Sequence, residues 1–185
     1  MNRIIVSFIL ALFLFVAFVP VSNADMNKEG SGNYKSAMTW TFKAIPVEKE
    51  RLYMTFDVTG GVVEAPADSP LFNATFQALG ALEAIKGAYK ESGFIIYYRP
   101  NGDKVYTTWQ ATGTLGGADR KVTFIFVGGT GECDGIEGGG ELAGVGGIYT
   151  KPTKDVWVSM SVGKFHWNLS QIKNKITGTI KQPIR

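Results

Sequence analysis

Apolar and polar residues alternate along most of the chain at the period of two that a half-buried β-strand requires. From Ser36 to Ile45, Met38, Trp40, Phe42 and Ala44 share one side and Thr39, Thr41 and Lys43 the other, and Pro46 closes the run. Arg51 to Val58 repeats the pattern, with Leu52, Met54, Phe56 and Val58 against Arg51, Tyr53, Thr55 and Asp57, before Gly60-Gly61. The residues between, Val47 to Glu50, fit a hairpin connection. A second hairpin is predicted from Phe94 to Arg99 and Lys104 to Thr112, around Pro100-Asn101-Gly102-Asp103, because Asn-Gly accepts positive φ. In its returning strand Val105, Thr107, Trp109 and Ala111 oppose Tyr106, Thr108 and Gln110. The strongest strand signal is Val122 to Val127, which runs into a structural turn at Gly128, Gly129, Thr130 and Gly131. A short strand within Ile136 to Val145 follows. In the long run Asp155 to Leu169, Val156, Val158, Met160 and Val162 oppose Trp157, Ser159, Ser161, Gly163, Phe165 and Trp167.

One stretch fits two periods. Phe72, Phe76, Leu79, Leu82 and Ile85 recur at helical spacing, yet Phe72, Ala74, Phe76 and Ala78 also alternate, and Gly80 and Gly87 interrupt a helix. Periodicity alone leaves residues 72–89 open between helix and strand. The remainder predicts seven to nine short antiparallel strands joined by tight turns, hence an all-β barrel or sandwich. A barrel hides its own edges, which suits a chain with one cysteine and therefore no internal disulfide.

The first residues change the picture of compartment. A basic start at Asn2-Arg3, an almost wholly apolar run from Ile4 to Val19, and Ser22-Asn23-Ala24 form the pattern of a secretory signal peptide over 1–24, cut after Ala24. The alternative is a retained anchor, although a span normally needs about 20 apolar residues. Beyond the cut, 25–35 reads as a flexible lead, 36–169 as the β-domain and 170–185 as a polar tail. The expected location is secreted or periplasmic, with no membrane span once the leader is removed. Of the 185 residues, 161 remain after the cut, one domain by size. The net charge of +3 drops by one with Arg3, and the lysines are scattered, so nucleic acid is not an expected partner. The basic positions Lys173, Lys175, Lys181 and Arg185 read as solvated tail.

Candidate chemistry is sparse. Gly128 to Gly131 is followed by Glu132-Cys133-Asp134, which puts negative charge where a nucleotide loop would hold phosphate. Cys133 between two acids reads as a buried small hydrophobe, since neighbouring carboxylates disfavour a thiolate. With one histidine and one cysteine, neither a metal nor a haem cofactor is expected. His166 shares a strand face with Lys164 and Asn168, so an outward position is expected; facing inward, it would be an acid–base candidate. The other candidate catalytic groups are Glu83, Glu141 and Arg99, which could act with a tyrosine such as Tyr98 or Tyr106. The aromatic supply is the better clue: Trp40, Tyr98, Trp109, Phe124 and Trp157 are the candidate ligand-binding residues. Asn73-Ala74-Thr75 and Asn168-Leu169-Ser170 match the glycosylation sequon and matter only in a eukaryotic secretory pathway.

Phe126-Val127-Gly128-Gly129-Thr130-Gly131 followed by Gly135-Ile136-Glu137-Gly138 resembles the hairpin of allene oxide cyclase-like and dirigent-like barrels. It is most similar to exported bacterial proteins of that type with unassigned activity. Gly102-Asp103-Lys104-Val105 with Trp109, and Gly61-Val62-Val63 leading to Pro70-Leu71-Phe72, share the resemblance, which covers about residues 36 to 168. It implies an antiparallel eight-stranded allene oxide cyclase-like (calycin-type) barrel with a cavity open at one end, and it tips residues 75–89 toward strands. The position after Gly-Thr-Gly is usually basic in that group, whereas this chain has Glu132. Three functions follow as expectations: an exported barrel binding a small apolar molecule, a cofactor-independent cyclase or isomerase using the same cavity, and a structural or protein-interaction barrel. Self-association into a homo-oligomer is compatible with all three.

Overall fold

The alternation becomes pairing. A computed structural model describes residues 26–116, 120–143, 150–153 and 156–169; the expected leader and tail lie outside the described residues. The strands are β1 (Glu29–Glu48), β2 (Arg51–Glu64), β3 (Thr75–Ile85), β4 (Ala88–Tyr98), β5 (Lys104–Thr114), β6 (Lys121–Gly129), β7 (Ile136–Ala143), β8 (Thr150–Thr153) and β9 (Val156–Leu169). Each of β1 to β6 pairs antiparallel with its successor, β7 pairs with β9, and β9 pairs back to β1. Eight strands thus close into a barrel-like ring, with β8 paired beside the start of β9. Among the described residues the only helical segment is one 3₁₀ turn, Gly131–Cys133.

Residues 72–89 resolve as the end of a loop, then β3, a turn at Lys86-Gly87, and the start of β4. The helical spacing is coincidental. Phe76 and Leu82 point inward with Ala78 and Ala84, whereas Leu79 and Ile85 are exposed on the outer face. The stretch read as a flexible lead is also partly strand: Glu29 to Lys35 pair with β9, register by register, down to Glu29 opposite Asn168. Polar alternation concealed it, because only Tyr34 among these residues is a large apolar group that the interior buries. The expected four-residue connection after Pro46 is tighter, since Glu48 faces Arg51 across Lys49-Glu50. Pro46 lies where the pairing with β9 has already ended at Thr41 and beside an irregularity in the pairing with β2, the edge and bulge positions at which a strand tolerates proline.

Inward positions carry the core: Phe56, Val58, Phe76, Leu82, Tyr97, Val105, Trp109, Val122, Phe124, Phe126, Phe165 and Trp167 are all buried. One end of the ring is closed by the segment 65–74, whose Ser69, Pro70 and Leu71 are fully buried, together with the turns at 100–103 and 130–135. Residues 26–28 seal it further. Trp167 Nε1–H donates to Asn27 O at 2.9 Å, Leu169 N–H to Lys28 O at 2.7 Å, and Met26 Sδ lies 4.0 Å from the buried Cys133 Sγ.

The expected turn at Gly128–Gly131 is tied to the neighbouring hairpin. Thr130 exchanges backbone and side-chain bonds with Lys104, and Asp103 Oδ2 accepts from Glu132 N–H at 3.0 Å. At Gly131, φ is +58° and an added Cβ would overlap the Asp103 carboxylate, so both conformation and space require glycine.

Candidate functional site

Among the described residues, those facing inward are apolar or hydroxyl-bearing with one exception, an ion pair. Glu91 sits on the inner face of β4, in the series Tyr89, Glu91, Gly93, Ile95, Tyr97; Arg120 immediately precedes β6. Glu91 Oε1 accepts from Arg120 Nη2 at 2.8 Å and from Trp109 Nε1–H at 2.9 Å. The pair is shielded, with side-chain exposures of 5% for Glu91 and 15% for Arg120. The guanidinium also lies over the Trp40 ring, 5.7 Å from its centroid, within cation–π range.

Trp109 is positioned by what its neighbours lack. Gly80 and Gly93 face each other across β3 and β4, both inward, and a Cβ on either would overlap the indole. Two bare positions make a flat floor for a ring that a strand pair bearing side chains would exclude. From that floor the indole N–H reaches Glu91, while the ring leans on Phe56 at 6.1 Å.

A polar ladder climbs the wall formed by β1 and β9. Trp40 Nε1–H donates to Ser159 Oγ at 2.7 Å, and the Ser36 and Ser161 hydroxyls share a hydrogen bond of 2.8 Å. Tyr34, bonded to Tyr97 and Ser161, extends it inward. Burial pushes the Tyr34 phenol up to about 12, against the smaller opposing influence of its hydrogen bonds and of Arg120. Burial likewise raises Tyr97 well above the ordinary range, with the neighbouring Tyr34 adding to it. Both phenols therefore remain protonated donors at neutral pH.

Between these groups lies a cavity of about 50 Å³, bounded by Tyr34, Trp40, Trp109 and Phe124, aliphatic side chains, and Arg120. That is room for one or two waters or a few heavy atoms. A wider depression of about 540 Å³ opens on the outer wall over β1 to β3, lined by Lys43, Asp57 and Leu79 among others.

The expected ligand-binding residues divide. Trp40, Trp109 and Phe124 line the cavity. Trp157 stacks edge-on against Phe42 at 5.1 Å and is 39% exposed, and Tyr98 stands on the outer face with Lys104 over its ring. Of the expected acid–base candidates, none adjoins the cavity. Glu83 lies on the outer wall and pairs with Arg51 at 2.6 Å, while Glu141 and His166 are exposed on the outside of β7 and β9. Arg99 is at the closed end, where it pairs with Glu132 at 2.7 Å and lies 3.7 Å from Asp103. Cys133 is fully buried, and burial pushes its thiol up to about 11, partly opposed by Arg99.

Glu91, Arg120 and Tyr34 were not singled out by sequence. A usable signal exists: Glu91 is the single carboxylate at the inward parity of β4, in a series with Tyr89, Gly93, Ile95 and Tyr97. It is hidden because clear alternation begins only at Phe94, while the residues up to 89 fit both a helix and a strand period.

Chemically, the cavity offers indole and phenyl faces to an apolar guest, one cation at its boundary, and phenol donors. Comparison with protein-family models, with curated proteins and with solved structures finds no match. No helix among the described residues is long and apolar enough to cross a membrane, and no cluster of potential metal ligands occurs among them.

Proposed function

We propose that this protein is an exported, allene oxide cyclase-like barrel whose interior binds a small apolar molecule. The leader pattern supports export, and the eight-stranded antiparallel ring supports the barrel type. The observation that carries the binding reading is the lining of the cavity, apolar and aromatic except at Arg120 and the Tyr34 hydroxyl. At about 50 Å³ it is far below the roughly 300–1,000 Å³ of drug-sized sites, so the guest is small or enters as the Arg120 side chain swings off Trp40. Native mass spectrometry of the protein from its host's envelope fraction, followed by organic extraction, tests this. The expected result is a stoichiometric small molecule. A bare polypeptide mass, together with failure to bind a panel of small apolar probes, removes the reading. A cyclase or isomerase acting in the same space would have to work through Glu91 and Tyr34, since His166, Glu83 and Glu141 face away.

A second reading, the interaction barrel, is favoured by the outer face. Leu79 opposite Phe94, with Ile125, Val127 and Tyr98 nearby, forms an exposed apolar band across β3 to β6, and Phe94 stacks on Tyr106 at 6.2 Å. Continuous bands of this kind mark contact surfaces. Analytical ultracentrifugation of the wild type against Leu79→Lys/Ile125→Lys tests it: association lost in the variant supports the reading, and a monomer in both sinks self-association.

A further inference from the structure

The buried ion pair needs an explanation that packing does not supply. Two charges removed from water lose several kcal/mol of hydration each, and apolar residues of similar shape are often as stable or more so. The contact is also a weak form of its kind. Arg120 approaches Glu91 through one nitrogen and one oxygen, and that oxygen is shared with Trp109. A bidentate fork, the strong arrangement for arginine and carboxylate, is not formed. The same guanidinium bounds the cavity, opposite aromatic walls. A cation held at one point by an internal acid, beside an apolar space, is arranged for exchange of its partner.

We propose that the interior site takes a small carboxylate, whose acid end replaces Glu91 on Arg120 while its short hydrocarbon fills the space between Trp40 and Trp109. This rests on the interior-binding reading and adds the chemical class of guest. Once Arg120 turns to the guest, Glu91 keeps its hydrogen bond from the Trp109 N–H, so the indole proton stays in place to register the exchange.

The test is titration of the ¹⁵N-labelled full protein with propionate and with propionamide, its uncharged equivalent in shape, following the Trp109 indole N–H. That proton is bonded to Glu91 and reports the exchange directly. Propionate is expected to shift the resonance to saturation, at least tenfold more tightly than propionamide. Glu91→Gln, nearly isosteric, should bind propionate more tightly because the internal competitor for Arg120 has lost its charge, and Arg120→Met should abolish the preference for the acid. Equal binding of propionate and propionamide would overturn the carboxylate assignment and leave interior binding standing. If neither perturbs the indole in wild type or Glu91→Gln, the carboxylate proposal falls, and the panel of apolar probes decides whether interior binding falls with it.

Discussion

Replacing Arg120 with methionine removes one member of the interior ion pair and leaves Glu91 to the Trp109 N–H alone. Breaking a buried pair from one side costs about 3–5 kcal/mol, because the abandoned charge remains out of water. Arg120 retains 15% side-chain exposure, so water can partly reach the gap and the lower figure, about 3 kcal/mol, applies. Glu91→Met strands the guanidinium over Trp40 and also deprives the Trp109 N–H of its acceptor, again about 3 kcal/mol or more. The double variant has no uncompensated charge. Its residual cost is the orphaned indole N–H and imperfect repacking of the cavity wall, together about 2 kcal/mol. The two substitutions should therefore couple by about 4 kcal/mol, with the double variant more stable than either single. Urea denaturation followed by far-ultraviolet circular dichroism measures this, since tryptophan fluorescence would respond to the local change itself. Additive losses of less than about 1 kcal/mol each would show that the pair is solvated and would refute the reasoning.

Other consequences can be checked separately. Gly93→Ala places a methyl group inside the Trp109 ring and should destabilise by about 1–3 kcal/mol or more, with loss of the near-ultraviolet tryptophan signal; an unchanged spectrum would mean that the glycine floor is not needed. Tyr34 is protonated in the folded chain up to about pH 12 but ionises near 10 when unfolded, so its contribution is intact below pH 10 and is lost as pH rises through 12. Wild type should lose about 2 kcal/mol more stability than Tyr34→Phe between pH 9 and 12, and parallel losses would contradict the buried phenol. The Cys133 thiol, buried and raised to about 11, should not react with a thiol reagent at pH 8 until the protein unfolds; rapid labelling of the native state would place it at the surface.

Sequence made the wall of the ring more legible than its contents. Period-two alternation marked Ser36–Ile45, Arg51–Val58, Lys104–Thr112 and Val122–Val127 as strands, because one face meets a core and the other meets water at those positions. The same rule assigned His166 to the outer face and Ser159, Ser161 and Phe165 to the face opposite Met160 and Val162, and these faces agree with the burial. It failed where the pattern was diluted. Leu79 and Ile85 are apolar outside the ring, which imitated a helix, and Glu29 to Asn33 are strand residues whose identity comes from pairing with β9 rather than from an apolar face. The interior site was missed for a related reason. Glu91 and Arg120 lie 29 residues apart, on either side of β5, and only the pairing of β4 and β6 with that strand brings them to 2.8 Å. Trp40, Trp109 and Phe124 could be named from aromatic supply, but parity alone could not say that Tyr98 would stand outside.

The binding account turns on whether the space among Trp40, Trp109, Phe124 and Arg120 accepts a guest, and xenon is the most direct probe because it enters dry apolar cavities without needing a hydrogen bond. In a crystal of the protein pressurised with xenon, the account predicts one interior xenon site at that position, and its loss when Ala78, which lines the cavity, is enlarged in an Ala78→Leu variant that remains folded. Ordered water at that position with no xenon, or a collapsed wall with no space at all, would contradict it.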